Sequence, residues 1–173
     1  MDLLVFNINL GGYLSGKKEI IDHLRLNCQA NVYAEPIAAP LLVQIITSLK
    51  ILSGQLEPGL GRLKIQTLSQ NADYFHRELV KRGFLVCGRD SPVVPLLLFH
   101  PAKIPAFSRM MLERGIAVVV VGYPATPIIS SRVRFCISAA HKREDLEWAL
   151  EVIDEVGGLL GLNLGQLGIE SDE

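Results

Sequence analysis

The chain opens on an almost unbroken apolar run, Leu3-Leu4-Val5-Phe6-Asn7-Ile8-Asn9-Leu10. Such a run reads as a buried strand. Gly11-Gly12-Tyr13 then reads as a tight turn. A helix follows, capped by Ser15 or Gly16, with Glu19 in its first turn and Ile20, Ile21 and Leu24 along one face. Ala38-Ala39-Pro40 opens a second helix, because the first turn leaves unpaired the N–H that proline lacks. Leu41, Leu42, Ile45, Ile46, Leu49 and Leu52 recur at helical spacing with almost no charge between them. That helix is expected to be buried on most sides and to stop at Gly54. A long amphipathic helix from about Leu60 to Arg82 carries Leu60, Leu63, Leu68, Ala72, Phe75 and Leu79 as its stripe, with Gly83 as its stop.

Beyond Gly83 the period changes. Phe84 to Cys87 and Val93 to Phe99 read as short strands, with Pro92 and Pro95 marking an edge or a bulge. Ile104 to Arg114 is a short helix closed by Gly115, and Ile116 to Val121 is a β-branched run that predicts a central strand. Pro124-Ala125-Thr126-Pro127 is a stiff loop. From 132 to 138 the pattern alternates: Val133, Phe135 and Ile137 take one face, and Arg132, Arg134, Cys136 and Ser138 the other. A last helix begins after His141, with Glu144 and Asp145 in its first turn and Leu146, Ala149, Leu150, Ile153, Val156 and Leu160 as its core stripe. The tail from Leu162 is glycine-spaced and acidic at its end, so fraying is expected. The expected architecture is α/β: a small sheet with helices on one face, preceded by long helices.

Composition narrows the function classes. At 173 residues and 49% hydrophobic, with a formal charge of −1, the chain is a folding one and has no basic excess for a nucleic acid. No apolar run is long enough to span a bilayer. Cys28, Cys87 and Cys136 form no CxxC pair, and His23, His76, His100 and His141 are scattered, so no metal site is indicated. Arg132 and Arg134 are the notable charges. A guanidinium fixed on a strand is suited to two-pronged capture of a carboxylate, and the plain alternative is a surface ion pair.

Several stretches together resemble one family. They are GGYLSGKKEIIDHLR (11–25), NVYA (31–34), QIITSLK (44–50), DSPVVPLLLFHPAKIPAFSRMMLERGIAVVVVGYPATP (90–127) and RVRFCISAAHKREDLEWALEVIDEVG (132–157). They are similar to the C-terminal part of the α-oxoamine synthases, pyridoxal-phosphate enzymes of the aspartate-aminotransferase fold type, in their eukaryotic serine palmitoyltransferase branch. The resemblance implies a small C-terminal domain with a mostly antiparallel sheet. Residues 1–58 are then a remnant of the large cofactor domain and the start of the connector helices, 59–162 the connector helix and small domain, and 163–173 a flexible tail. It implies pyridoxal 5'-phosphate as cofactor and L-serine and palmitoyl-CoA as substrates, condensed with loss of CO2 to 3-ketosphinganine, the first step of sphingolipid biosynthesis. It also implies pairing with the first subunit of a serine palmitoyltransferase heterodimer at the cytosolic face of the endoplasmic reticulum. The residue matching the family's substrate-carboxylate clamp is Arg134, and Pro124, Ala125, Thr126 and Pro127 match the loop beside the active-site mouth.

The chain also departs from the family. The Schiff-base lysine is expected six residues before the Gly-Gly pair, where this chain has Val5. Lys17 and Lys18 lie beyond Gly11-Gly12, at the start of a helix. Glu35-Pro36 stands where a phosphate-contacting Thr or Ser is expected. The chain is therefore read as a fragment, inactive by itself because the Schiff-base lysine is missing. The alternatives are a non-catalytic polypeptide that keeps the small-domain surface, or another α-oxoamine synthase of different acyl-CoA or amino-acid specificity.

Overall fold

The structure is a computed structural model that describes residues 4–8, 11–33, 35–88 and 91–163. The chain divides into two compact units, Met1–Arg62 and Leu63–Glu173.

In the first unit, strand β1 (Leu4–Ile8) pairs antiparallel with β2 (Gly11–Ser15), Val5 facing Leu14 in the ladder. Gly11 and Gly12 thus belong to a strand and not to the expected turn, because pairing with Ile8 and Asn7 engages their backbone. Leu3, Asn9 and Leu10 of the expected first strand lie outside the described residues. Helix α1 (Lys18–Asn27) starts later than the sequence suggested, since Ser15 is the last residue of β2 and Lys17 takes the cap position without a side-chain bond. Short α2 (Gln29–Tyr33) follows, then α3 (Ala39–Leu52), with Pro40 in its first turn as expected and Gly54 at a φ of +77° behind it. The expected burial of α3 does not occur. Ile45 is its one buried side chain, and Leu42, Val43, Ile46 and Leu52 are exposed. A helix with Lys50 as its one charge tolerates burial on most sides, but within this unit α3 meets β2 and, at Ile51 and Leu52, the backbone of Gly61, and most of its apolar side chains stay exposed.

The second unit is organised on helix α4 (Leu60–Lys81), whose last three turns bury Ala72, Phe75 and Leu79. Gly83 stops it at a φ of +80°, a conformation that costs glycine little. Strands β3 (Val93–Leu97), β4 (Val119–Val121) and β5 (Arg132–Cys136) form an antiparallel sheet in the order β3-β5-β4. The alternation read at 132–138 holds: Val133, Phe135 and Ile137 are buried while Arg134 and Cys136 are exposed. Helices α4, α5 (Lys103–Glu113) and α6 (Arg143–Leu160) share one core with the inward residues of β3 and β5. At its centre the Phe135 ring lies 5.5 Å from Phe75 and 6.4 Å from Phe107, both tilted or edge-on, the favoured aromatic geometry.

Three expectations for this unit are corrected. Residues 84–87 form no regular strand. Val86 makes an isolated bridge to Leu96, and the Cys87 N–H donates to the Pro95 carbonyl. Phe84 turns inward and is buried against Gly157 of α6. The β-branched run 116–121 supplies only three strand residues, at an edge of the sheet, and β5 is central. An apolar run signals burial but does not say how many neighbours a strand has. Leu162 is buried and its N–H donates to the Gly157 carbonyl, so the chain is held up to that residue. The rest of the expected tail, from Leu164, lies outside the described residues.

Pro95 shows how the sheet tolerates proline. The bonds from Leu98 N–H to the Ser131 carbonyl and from Ile137 N–H to the Pro92 carbonyl set the phase of the β3–β5 ladder. In that phase Pro95, opposite Arg134, needs no N–H toward β5.

Candidate functional site

Because β5 is central, its outward residues stand in the middle of the sheet face opposite the helices. Arg134 is flanked by Pro95 on β3 and Val119 on β4, and Arg132 by Leu97 and Val121. Two guanidiniums thus rise from an apolar strip. They are not equivalent. The Arg132 side chain is half-buried, and its Nε donates to the Ser130 carbonyl at 3.2 Å. Arg134 is exposed and, among the described residues, has neither a hydrogen bond nor a counter-ion. A donor fork held on a rigid strand and left unpaired can take a carboxylate through two parallel bonds.

The loop Pro124–Pro127 lies in the connection between β4 and β5. Its base is tied by the N–H groups of Ala125 and Thr126, which both donate to the Gly122 carbonyl at 3.0 and 3.2 Å. Thr126 is buried, and its hydroxyl finds no partner among the described residues. A 3₁₀ turn at Ile128–Ser130 leads into β5, and the buried Ser131 hydroxyl donates to the Ile128 carbonyl at 2.7 Å. The loop therefore joins the end of the ladder where Val121 meets Arg132, while Arg134 sits two residues further along. A cavity of about 310 Å³ is lined by Arg134, Cys136, His141, Asp145 and Trp148 among others, and none of the four loop residues lines it. The structure thus places Arg134 and the loop on one sheet without bringing them into one pocket.

Sequence reasoning passed over Asp145 and Trp148 as site residues, since acidic first-turn and amphipathic helix positions are ordinary ones. The Asp145 carboxylate accepts the Lys142 backbone N–H at 2.9 Å, closing the start of α6. Glu35 is exposed and outside any helix or strand, and Val5 lies within β1. Among the described residues no three His, Cys, Asp or Glu side chains converge as a metal site, and no helix is long and apolar enough to cross a membrane.

Comparison with known proteins places this arrangement. Residues 10–153 match the family described as aminotransferase class I and II. The serine palmitoyltransferase 2 of Kluyveromyces lactis is 52% identical over 155 residues, which are 89% of this chain and 28% of that protein. Among solved structures, a Sphingomonas wittichii serine palmitoyltransferase superposes with a TM-score of 0.70 at 23% identity, over 87% of this chain and 37% of its own. A structure of SPT with PLP as an internal aldimine gives a TM-score of 0.73 at 21% identity, over 88% of this chain and 37% of its own. At that identity the solved structures establish the fold. The chain spans less than a third of the K. lactis relative, and within that span the match runs almost end to end. The family match begins at residue 10, beyond β1, and takes in the whole sheet with Arg134. This chain belongs to the aminotransferase class I and II family.

Proposed function

We propose that the chain is the carboxylate-binding C-terminal part of a serine palmitoyltransferase. In the complete enzyme it would serve the pyridoxal-phosphate-dependent condensation of L-serine with palmitoyl-CoA, with loss of CO2, to 3-ketosphinganine. The observation that carries the reading is Arg134. It is a cation at the centre of the open sheet face with no partner among the described residues, and it lies within the segment that is 52% identical to the K. lactis enzyme. Its role is to hold the serine carboxylate, fixing the amino acid in one orientation so that only one bond at its α-carbon is presented for reaction. Arg132, tied to Ser130, keeps the β4–β5 connection in place. In the complete enzyme the Pro124–Pro127 loop would border the mouth, although within this chain it lines no part of the cavity at Arg134.

The residues of this chain do not by themselves fit the cofactor. Val5 stands where the family's lysine is expected, and a valine offers no nitrogen for a Schiff base. No lysine lines the cavity that holds Arg134. The cofactor would therefore be held by residues other than these, and this segment contributes substrate binding. A heterodimer with the first subunit of the enzyme, at the cytosolic face of the endoplasmic reticulum, belongs to the same proposal.

Val5 also favours a second reading, a polypeptide that keeps the small-domain surface without chemistry of its own. A chimera separates the two. Residues 11–163 replace the matching segment of the K. lactis relative, and formation of 3-ketosphinganine from serine and palmitoyl-CoA is measured. Activity within about tenfold of the parent supports the first reading. A folded chimera with none favours the second.

A further inference from the structure

One edge of the sheet opens beside Arg134. The register that sets Val119 against Arg134 would, if continued, set Ala117 against Cys136, yet β4 begins only at Val119. The gap is the cavity of about 310 Å³, room for roughly ten water-sized groups. Its wall is largely apolar, with Phe75, Ile116, Ile137 and Trp148 among the lining residues. Two opposite charges, Arg134 and Asp145, line the same space. Among the described residues they are paired neither with each other nor with any other ion. Asp145 spends one oxygen, Oδ2, on the Lys142 N–H.

A bound group that answers both charges at once is a zwitterion, and the apolar wall selects its side chain. We propose that this cavity binds a free α-amino acid with a branched aliphatic or aromatic side chain. The carboxylate meets Arg134, the ammonium meets Asp145, and the side chain packs against Trp148 and Phe75. The proposal shares Arg134 with the function proposed above, and one consequence rests on that reading: such an amino acid competes with the serine carboxylate for the guanidinium.

The test uses the full chain and its single tryptophan, Trp148, as reporter. L-Leucine should change the emission saturably, with a Kd on the order of 1 mM. The analogue without the amine, 4-methylpentanoate, and the analogue without the carboxylate, 3-methylbutylamine, should each bind about tenfold more weakly. Asp145→Asn keeps an oxygen for the Lys142 N–H and removes the charge, so it should weaken leucine about tenfold while the helical circular dichroism of the chain stays unchanged. Ala149→Phe, which fills the cavity, should abolish the response. No saturable response to leucine would overturn the proposal. So would equal affinity for leucine and 4-methylpentanoate, or an Asp145→Asn chain that binds as before. None of these outcomes bears on serine use by the chimera, so the two proposals fail separately.

Discussion

At the scale of single residues, the contrast that matters is between neighbours of the same type. Arg132 and Arg134 are two residues apart on one strand face, but one is tied to Ser130 and the other has no partner among the described residues. Arg114 illustrates a third use of the same side chain. At the end of α5 it grips Glu155 of α6 with two bonds, of 3.2 and 2.6 Å. The guanidinium beside Glu155 holds that carboxyl below its ordinary value of 4.5. A depressed carboxyl stabilises the fold above its ordinary value and loses that contribution as the pH falls through its folded value. Glu78, lowered chiefly by its bond from Lys81, acts in the same window. Denaturant midpoints followed downward from pH 5 should therefore fall, and the fall should be smaller in Glu155→Gln. An identical pH profile for the two proteins would show that the Arg114–Glu155 pair adds nothing to stability. Gly157 makes a sharper residue-scale case. A methyl group there would strike the Phe84 ring, so Gly157→Ala should cost about 1–3 kcal/mol by overpacking, read as a lower midpoint in urea.

At the scale of elements, β5 holds the second unit together. It is central, and Phe135 joins the rings from α4 and α5 beneath the sheet. Phe135→Ala should cost about 3–5 kcal/mol, and a loss under 1 kcal/mol in a urea melt would contradict its place in the core. Much of this element was legible in advance because a period of two with charges on one face has a single solution. The helices at Leu60–Lys81 and Arg143–Leu160 were also legible from their stripes, which bury Ala72, Phe75 and Leu79 in the first and Leu146, Leu150, Ile153 and Val156 in the second, although Leu63 of the expected stripe is exposed. What the sequence left unsaid depends on which other segments each one pairs with. Whether Ile116–Val121 is central or at an edge is settled by which strand lies beside it. Whether Gly11-Gly12 turns or pairs is settled by β1. In the candidate site, the alternation put Arg132 and Arg134 on the outward face, and the difference between them, a bond to Ser130 for one and no partner among the described residues for the other, became visible only in the structure. Asp145 and Trp148 carry no local signal of a shared cavity, because the gap between β4 and β5 that brings them together is a tertiary feature.

At the scale of the whole molecule, the two units differ in how much each buries. The second has a continuous core, whereas α3 of the first buries Ile45 alone. Amide exchange should follow that difference, slowest in β5 and α6 and fast throughout α3. Protection of α3 equal to that of α6 would contradict it. The apolar residues exposed on α3 also predict association in solution. Leu42→Lys with Ile46→Lys should shift the chain toward a monomer in sedimentation, and an unchanged distribution would place the contact elsewhere. The central claim is that this segment brings the carboxylate-binding arginine to a serine palmitoyltransferase, and serine binding by the chimera carrying residues 11–163 tests it most directly. Loss of a two-pronged charge-assisted contact costs about 1.5–3 kcal/mol, or roughly one to two decades in affinity. Arg134→Gln should therefore weaken serine by that much, and Arg134→Lys should recover part of it. Arg132→Gln should change it by less than about threefold, since its guanidinium serves Ser130. Equal losses at the two arginines, or none at Arg134, would contradict the account.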